Sequence, residues 1–335
     1  MSTGAYRRAG VDLDAAEEAT ALIRDLARAV SGPEVIDGIG GFAGLYRLDE
    51  RRLLAGATDG VGTKLEIARL AGRLDTVGID LVAMCANDVV CTGARPLFFL
   101  DYIAVGRLIP EEVSGIVAGV AEGCRRAGCA LLGGETAEHP GVLEAGRFDL
   151  AGFCVGLVEE AELIGPRLVE EGDAVIGVRS SGLHSNGFSL VRQAVDGLDM
   201  LATPQGLQRP LAEELLEPTL IYVPAVLEAA GRGLIHAAAH VTGGGLPENL
   251  PRALPAGSGA EIDLNAWEAP PVFSFVQHAS GASDDEMRRT FNMGIGMTLV
   301  VPAGATEEVT EIAGAHGFEA VRIGTVDRGD GVRFA

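Results

Sequence analysis

The sequence predicts an α+β (mixed α/β) fold divided into two domains, and three observations support that prediction. The chain has 335 residues, more than a single hydrophobic core usually holds, because domains typically contain about 100–200 residues. Apolar runs of strand length alternate with segments that repeat apolar residues at helical spacing, which favours a mixed fold over an all-α or all-β one. A charged segment with Gly165, Pro166 and Gly172 spans residues 161–173, so we predict domains at 1–168 and 169–335.

The first half predicts strands and helices in alternation. The helix that begins near residue 78 has Gly93 where a C-terminal cap belongs and Pro96 just beyond it. The helix at 109–128 starts with Pro110 and ends with Gly128, the usual asymmetry of helix ends. In order, the predicted elements are a strand at 53–60, helices at 63–74 and 78–92, a strand at 96–106, a helix at 109–128, a short strand within 129–141 and a strand at 148–159.

The second half has the same style, without a detectable sequence repeat. It predicts strand, loop and helix at 174–195, strand, loop and short helix at 236–250, and a turn leading into a strand at 290–301. Near the N-terminus, residues 31–44 contain five glycines and predict a loop.

The composition argues against several classes of partner. Acidic residues number 47 against 26 basic ones, giving a net charge of −21, whereas binding to nucleic acid or to an anionic membrane needs clustered cations. No stretch approaches the roughly 18–20 apolar residues of a membrane helix, and residues 1–14 lack the apolar core of a signal peptide. We therefore expect a cytoplasmic protein with no nucleic-acid or membrane partner. The five cysteines are never spaced as CxxC, which favours reduced, buried thiols.

The turn TDGVGTK (58–64) is a candidate phosphate site. Gly60 and Gly62 can offer backbone N–H groups, Thr63 offers a hydroxyl and Lys64 a charge, directly before a predicted helix. Lys64 is also the only lysine in the chain. The spacing differs from a Walker motif, and glycine turns before helices are common in proteins that bind no phosphate, so this turn alone does not decide the function.

Carboxylates at the ends of predicted elements are candidate Mg²⁺ ligands. Asp59 ends one strand and Glu135 follows another. Asp88 shares one helical face with Asp80 and Asn87. A Mg²⁺ ion that bridges nucleotide phosphates takes a few oxygen ligands of this kind. Each acid also has an ordinary interpretation, as a helix cap for Asp59 or Glu135 and as a solvated face for Asp88.

Two glycine-rich loops of the second half carry hydrogen-bonding side chains. Such a composition suits a sugar phosphate, although a histidine between glycines is more often a turn residue. The candidate binding residues are Ser181, Gly182, His184, Ser185 and Asn186 in the first loop and His240, Thr242, Gly243 and Gly244 in the second.

Several longer segments together resemble one enzyme family. In order along the chain they are TDGVGTK (58–64), GIDLVAMCANDVVCTGARPLFFLDY (78–102), GGETAEHPG (133–141), AGFCVG (151–156), SSGLHSNGFSLVR (180–192), HVTGGGLPENLPR (240–252) and TFNMGIGM (290–297). This combination is similar to the phosphoribosylformylglycinamidine cyclo-ligase family, also called aminoimidazole ribonucleotide synthetases. One departure is Leu246 with Pro247 after the triple glycine, where the family often has an aromatic pair.

The resemblance implies ATP-dependent ring closure of formylglycinamidine ribonucleotide to 5-aminoimidazole ribonucleotide, with ADP and phosphate as the other products, in purine biosynthesis. In such a reaction ATP phosphorylates the formyl oxygen, the ribose-bearing nitrogen attacks that carbon, and phosphate leaves. The resemblance further implies a homodimer in which the N-terminal mixed sheets pair into a barrel. ATP binding is then expected in the first domain and substrate binding in the second.

The resemblance also implies roles for the candidate residues. Asp59, Asp88 and Glu135 are expected to hold Mg²⁺ and the nucleotide phosphates, with Asn87 and Asp80 as helpers. The other expected nucleotide contacts are Gly60, Gly62, Thr63, Lys64, Gly93, Ala94 and Pro96. The expected catalytic residues are His184 and His240, as candidates for proton transfer, and Lys64. The loops at 181–189 and 240–245 are expected to face the substrate, and loop 38–44 is expected to close over the triphosphate.

Two other functions stay open from the sequence. One is a kinase of the same superfamily, in which the γ-phosphate ends on a product instead of as free phosphate. The other is a non-catalytic nucleotide-binding dimer. Dinucleotide binding and nucleophilic hydrolysis are poorly supported, because GxGxxG does not follow the first strand and GxSxG is missing from the sequence.

Overall fold

The computed structural model describes residues 13–335. Residues 1–12 lie outside that range, and with them the start of the first predicted domain and most of the stretch that argues against a signal peptide. The described residues form a mixed α+β fold of two domains, each built on a six-stranded sheet, which confirms the predicted fold class. The boundary at 168/169 stays a prediction. Within the described residues, none of the helices combines the length and the apolar character needed to cross a bilayer.

The first domain contains a sheet covered on one face by helices. Its strands are β1 (Val35–Asp37), β2 (Gly44–Arg47), β3 (Arg52–Gly60), β4 (Arg95–Val105), β5 (Ala130–Glu138) and β6 (Phe148–Glu159). Its helices are α1 (Leu13–Arg28), α2 (Lys64–Ala71), α3 (Val77–Val90) and α4 (Pro110–Ala127). The strand order is β1-β2-β3-β6-β4-β5, and neighbours are antiparallel except for the parallel pair β4 and β5.

Helix α3 lies at the centre of the first domain. Every residue of α3 except Asp88 is buried. Glycines allow the closest approach to α4, since a Cβ atom on Gly78 would lie 2.3 Å from the carbonyl oxygen of Ile116. A helix this enclosed can carry polar side chains only where they find partners, because an unpaired buried polar group is costly. The hydrogen-bond partners of the polar residues of α3 therefore show which segments pack against this helix.

The second domain is also a mixed sheet with helices. Its strands are β7 (Ala174–Arg179), β8 (Ala237–His240), β9 (Ser258–Ile262), β10 (Ile295–Val301), β11 (Ala320–Arg328) and β12 (Gly331–Phe334). Its helices are α5 (Phe188–Ala194), α6 (Leu211–Leu215), α7 (Val223–Gly231), α8 (Gly245–Asn249), α9 (Pro271–Ser280), α10 (Asp284–Thr290) and α11 (Thr306–Ala315). The order is β12-β9-β11-β7-β10-β8, with β12 and β9 parallel and the other neighbours antiparallel.

This topology gathers three loops at one edge of the second sheet. Strands β7 and β8 both run antiparallel to β10, which lies between them. Their C-terminal ends therefore meet the N-terminal end of β10 at the same edge. The loops after β7 and β8 and the turn before β10 lie in the segments that the sequence analysis identified at 180–189, 240–245 and 290–301. That edge faces α3 of the first domain.

Two local features differ from the predictions. The glycine-rich stretch at 31–44, predicted as a loop, contains the short strand β1, which pairs with β2 because Val35 and Asp37 find backbone partners there. The predicted helix at 63–74 ends at Ala71, where Gly72 adopts the left-handed conformation (φ 64°) that terminates the helix. The five cysteines are free thiols, and all but Cys129 are buried.

Candidate active site

Asp59 and Asp88 form a carboxylate pair in the first domain, facing the second. Asp59 lies near the C-terminal end of β3, and its Oδ1 accepts a hydrogen bond of 2.7 Å from the Gly60 amide. Burial raises the pKa of Asp59 to about 6; the Gly60 amide opposes that shift, and the negative charge of Asp88 adds to it. Asp88 is the one residue of α3 that is not buried. The pair therefore concentrates negative charge at the domain junction.

His240 joins this pair to the second domain. Its ring is buried at the end of β8, with Nδ1 2.9 Å from Oδ1 of Asp88. Since a carboxylate only accepts hydrogen bonds, this contact places the proton of a neutral ring on Nδ1. The other ring nitrogen, Nε2, lies 3.4 Å from Nδ2 of Asn87. Both nitrogens of His240 thus contact residues of α3.

Asn87 and Asp80 hold a segment of the second domain, residues 217–222. Asn87 donates from Nδ2 to the Leu220 carbonyl (2.8 Å) and accepts at Oδ1 from the Tyr222 amide (2.9 Å). Asp80 accepts from both the amide and the hydroxyl of Thr219, each at 2.7 Å. Both side chains are fully buried, Oδ1 of each accepts these hydrogen bonds, and Oδ2 of Asp80 faces the Lys64 ammonium, so we do not include them in the proposed Mg²⁺ site. They serve domain docking.

Lys64 is fully buried between the two domains. Its Nζ donates to Oδ1 of Asp80 (3.0 Å), to the His184 carbonyl (2.9 Å) and to the Glu217 carbonyl (2.8 Å). Oδ2 of Asp80 lies 2.8 Å away in ion-pair contact without hydrogen-bond geometry. Burial lowers the pKa of Lys64, and Asp80 opposes that shift. The three ammonium donors are used within the protein, so the structure leaves none free for the expected contact with a triphosphate.

His184 occupies a strained position in the loop after β7. Its φ of 61° lies in the left-handed region, which non-glycine residues rarely adopt. The residue is 2% exposed, and burial lowers the pKa of His184 well below its ordinary value, so the ring is neutral. Nε2 accepts a long hydrogen bond from the Ser181 amide (3.3 Å), whereas Nδ1 is buried and has no hydrogen-bond partner among residues 13–335. A buried polar atom without a partner is uncommon and calls for an explanation, and contact with a ligand is one such explanation.

The rest of this loop is hydrogen-bonded to the 217–222 segment and to the turn before β10. The Ser181 hydroxyl donates to the Pro218 carbonyl (2.6 Å), and the Ser185 hydroxyl lies 2.9 Å from that of Thr219. Gly182 has a φ of 150°, and its carbonyl accepts from the Asn292 side chain (2.9 Å). The loop is therefore fixed from both sides.

The triple-glycine loop after β8 is organised by Asn249. The Asn249 side chain donates from Nδ2 to the carbonyls of Gly243 (3.0 Å) and Gly245 (2.9 Å), and its Oδ1 lies 3.4 Å from the Thr242 hydroxyl. Gly244 precedes α8 with a φ of 92° that requires glycine. The two loops meet here, since a Cβ atom on Gly243 would lie 3.5 Å from Oδ1 of Asn186.

Comparison with known proteins identifies the family. Residues 40–158 match the family model "AIR synthase related protein, N-terminal domain", and residues 170–335 match the corresponding C-terminal domain. The chain is 52% identical to the phosphoribosylformylglycinamidine cyclo-ligase of Thermosynechococcus vestitus over 332 residues, covering 97% of each chain. The chain belongs to the phosphoribosylformylglycinamidine cyclo-ligase family. The enzyme of that name from Geobacillus kaustophilus is 48% identical over 340 residues, covering 99% of this chain and 98% of the relative.

A solved structure shares the fold of this cyclo-ligase family member. Thermotoga maritima PurL complexed with ATP superposes with a TM-score of 0.60 at 19% identity, over 90% of this chain and 45% of the PurL chain. At that level of identity the likeness concerns the fold alone.

Glu135 does not join the carboxylate pair within one chain of this family member. It pairs with Tyr102, whereas Asp59 lies in the row of Gly152, Asp101 and Gly134. Successive residues of a strand point to opposite faces, so Glu135 projects to the other face of the sheet, three strands away from Asp59. It is exposed there. Among residues 13–335, no group of three or more His, Cys, Asp or Glu side chains is placed to hold a metal ion.

Gly93, Ala94 and Pro96 also lie away from the pair. Pro96 is opposite Gly156 on β6, four residues along that strand from the Gly152 row, or roughly 13 Å. A Cβ atom on Gly93 (φ 83°) would lie 3.1 Å from the Glu162 carbonyl oxygen, and Ala94 is fully buried. These residues pack the segment between the two sheets, so the structure does not bring them to the expected nucleotide pocket. Gly60 does contact the pair through its amide, and Gly62 and Thr63 follow in the same turn, with the Thr63 hydroxyl 3.3 Å from that of Ser189.

Sequence reasoning missed several residues of this cyclo-ligase site. Thr219 and Tyr222 hold α3, Thr219 also contacts the loop after β7, and Asn249 and Arg252 hold the triple-glycine loop. The signal for Asn249 was available, since it lies in the quoted motif HVTGGGLPENLPR. Residues 217–222 carry no motif, and only the tertiary contact reveals their role.

Proposed function

We propose that this chain catalyses the ATP-dependent ring closure of formylglycinamidine ribonucleotide to 5-aminoimidazole ribonucleotide, with release of ADP and phosphate. The proposal places the reaction in purine biosynthesis and in the cytoplasm. Family membership over the whole length supports it, together with one structural observation: the Asp59 and Asp88 pair of the first domain meets His240 of the second. A site at that junction can place ATP and the substrate side by side.

Mg²⁺ fits the carboxylate pair. Asp59 is partly buried, its pKa is raised, and the hydrogen bond described for its carboxylate comes from a single backbone amide. Mg²⁺ in phosphate-binding sites is usually held by one or two carboxylates plus water and phosphate oxygens, so Asp59 and Asp88 suffice as protein ligands. When bound, the ion would neutralise negative charge on the phosphates of ATP. We keep Glu135 outside this ligand set.

We propose different roles for the two histidines. His240 is held by Asp88 and Asn87 on its two ring nitrogens, so it orients the Asp88 carboxylate. His184 keeps one buried nitrogen without a partner, and its neutral ring can exchange a hydrogen bond or a proton with the substrate. The hydroxyls of Ser181 and Ser185 donate within the protein, so the backbone N–H groups of the two glycine loops would orient the ribose phosphate.

A homodimer is part of the proposal. The face of the first sheet that α3 and α4 leave uncovered exposes large apolar side chains: Tyr46 (49%), Tyr102 (39%) and Phe153 (41%). An open apolar sheet face of this size favours burial against a second copy of the chain. Light scattering during gel filtration tests this, and Phe153→Glu is expected to give monomers.

The proposed reaction is tested in one assay. Purified protein is incubated with formylglycinamidine ribonucleotide, ATP and Mg²⁺, and free phosphate and aminoimidazole product are measured together. We expect equal amounts of both, and neither without Mg²⁺. Binding of ATP without imidazole formation would refute the cyclo-ligase activity and leave a kinase or a non-catalytic nucleotide-binding protein.

A further inference from the structure

Lys64 makes an interaction that spans both domains. Two of its hydrogen-bond acceptors, the carbonyls of His184 and Glu217, belong to the second domain, and its ion-pair partner Asp80 belongs to the first. The Lys64 ammonium also lies 5.5 Å from the centre of the Phe188 ring, at the start of α5. It is fully enclosed. A buried charge is tolerated only when it is paired and hydrogen-bonded, so this arrangement is strongly specified.

His184, whose carbonyl accepts a hydrogen bond from Lys64, has a strained backbone. Within the described residues, His184 and Met293 are the two non-glycine residues with a positive φ. A left-handed conformation at a bulky residue persists only when its surroundings enforce it. The charge-assisted hydrogen bond from Lys64 fixes the orientation of the peptide that follows His184. The imidazole is thereby placed against Tyr222, with ring centroids 6.2 Å apart.

Asp80 also stabilises the loop after β7, residues 180–189, which we call the substrate loop. It accepts the amide and the hydroxyl of Thr219, and the Thr219 hydroxyl in turn contacts Ser185. The Lys64 and Asp80 pair is therefore the point where the substrate loop and the 217–222 segment are both attached to the first domain. Its removal would release the loop and Thr219, while Asn87 would still hold Leu220 and Tyr222.

We infer that Lys64 is a positioning residue for His184: through the His184 carbonyl it sets the geometry of the substrate loop, and it makes no contact with the triphosphate. This inference rests on the proposed function, because it assigns the substrate loop to formylglycinamidine ribonucleotide. It differs from a purely structural role, because the loop that Lys64 holds carries the unpartnered Nδ1 of His184. It also differs from a phosphate-binding role, because each ammonium donor already has an acceptor.

A neutral double variant tests the inference by kinetics. Lys64→Met removes the ammonium, and Asp80→Asn in the same chain removes the charge left behind while keeping an acceptor for Thr219. We expect kcat/KM for formylglycinamidine ribonucleotide to fall about 100-fold, which is the usual cost of a misplaced reacting group. The KM for ATP should stay within about twofold of wild type, since a uniform binding contact to ATP is not lost.

The matched control is Asp173→Asn. Asp173 is also a buried carboxylate, paired with His236 at 2.7 Å, but it lies just before β7, at the end of that strand away from the substrate loop. It should lose stability without loss of kcat/KM. A rise in the KM for ATP in the double variant would overturn the inference in favour of phosphate binding. Wild-type kinetics in a folded double variant would overturn it in favour of a structural role.

A spectroscopic measurement on the unaltered protein is independent of the variants. Lysine labelled with nitrogen-15 at Nζ gives a single side-chain ammonium signal, because Lys64 is the only lysine. We expect couplings across its hydrogen bonds to the carbonyl carbons of His184 and Glu217, and a shift of the signal when formylglycinamidine ribonucleotide is added. A signal that responds to Mg·ATP alone would overturn the inference. Failure of the proposed function is distinguishable, since it is seen as absent turnover in the wild-type assay.

Discussion

Helix α3 carries two acidic side chains two turns apart, and their surroundings are opposite. Asp80 is fully buried but compensated, by the Lys64 ammonium and by two donors from Thr219. Asp88 contacts His240 but also lies near Asp59, a second carboxylate whose pKa it helps to raise. The first arrangement satisfies every charge within the protein. The second leaves net negative charge at the domain junction.

This difference assigns the two acids of one helix face to different roles: Asp80 is structural, and Asp88 belongs to the proposed metal site. A compensated buried charge has nothing left to offer a ligand, and it contributes by fixing how the domains meet. An uncompensated carboxylate pair is destabilising by itself and becomes favourable only when a cation binds. The same face therefore docks the second domain at one end and is ready for a metal at the other.

The largest expected effect comes from breaking the compensated pair. Lys64→Met alone leaves the buried Asp80 carboxylate unpaired, so the free energy of unfolding should fall by about 3–5 kcal/mol. Urea unfolding measures it. The double variant with Asp80→Asn should recover most of that loss, because no buried charge remains. A single variant within about 1 kcal/mol of wild type would show that the pair is not the compensated charge described here.

Removing the charge of the other acid should affect turnover and leave stability nearly unchanged. Asp88→Asn is expected to lower Mg²⁺-dependent kcat about 1,000-fold, equivalent to about 4 kcal/mol in the barrier. Stability should change by less than about 1 kcal/mol, since the asparagine oxygen can still accept from His240. Asp149→Asn, at an exposed position on β6, is the control. Full activity of Asp88→Asn would contradict the metal assignment.

The sequence predicts α3 itself and the shared face of Asp80, Asn87 and Asp88, because helical spacing is a local property. It does not predict how that face is divided. The division depends on where residues 217–222 pack, more than 120 positions further along the chain, and no local pattern encodes that contact. Composition singled out Lys64 as unusual, but a turn before a helix suits a phosphate contact as well as a buried ion pair.

Glu135 shows the same limit in a strand. The sequence places it after a short strand, and the family resemblance adds a role as metal ligand. Its face of the sheet is set by the β4 to β5 register, in which Tyr102 and not Asp101 is its partner. A shift of one residue moves a side chain to the opposite face, so a strand predicted without its register leaves this undecided.

A smaller change in the free energy of unfolding is expected when the charge of Asp59 is removed from the Asp59 and Asp88 pair in metal-free protein. Asp59 has a pKa of about 6 in the folded chain, above the ordinary value of 3.8. Between those values the native state binds more protons than the unfolded state, so stability falls as pH rises, and above pH 6 the full penalty applies. Asp59→Asn removes this titration and should stabilise the protein by about 1–3 kcal/mol at pH 8 in EDTA.

The gain of Asp59→Asn should vanish as the pH falls to about 3, where the wild-type carboxyl is protonated in both states. Urea unfolding at a series of pH values measures it. Addition of Mg²⁺ at pH 8 should stabilise wild type and leave the variant unchanged. Equal stability of the two proteins across the pH range would mean that Asp59 carries no such penalty, and the contrast with Asp80 would fail.

The smallest effect concerns an exposed counterpart of the Lys64 contact. The Arg252 guanidinium of the second domain donates to the Gly41 carbonyl (2.6 Å) and lies 4.0 Å from the centre of the Phe42 ring, so it ties loop 38–44 to the triple-glycine loop through Asn249. Exposed cation–π and hydrogen-bond contacts are worth about 1 kcal/mol or less, so Arg252→Gln should barely change the free energy of unfolding.

If loop 38–44 covers the triphosphate, the KM of the Arg252→Gln variant for ATP should rise about threefold, or roughly 0.7 kcal/mol. Phe42→Leu keeps the Gly41 hydrogen bond and is expected to give a smaller rise. A change confined to the KM for formylglycinamidine ribonucleotide would assign this contact to the substrate loops, and the buried and exposed links between the domains would then serve the same ligand.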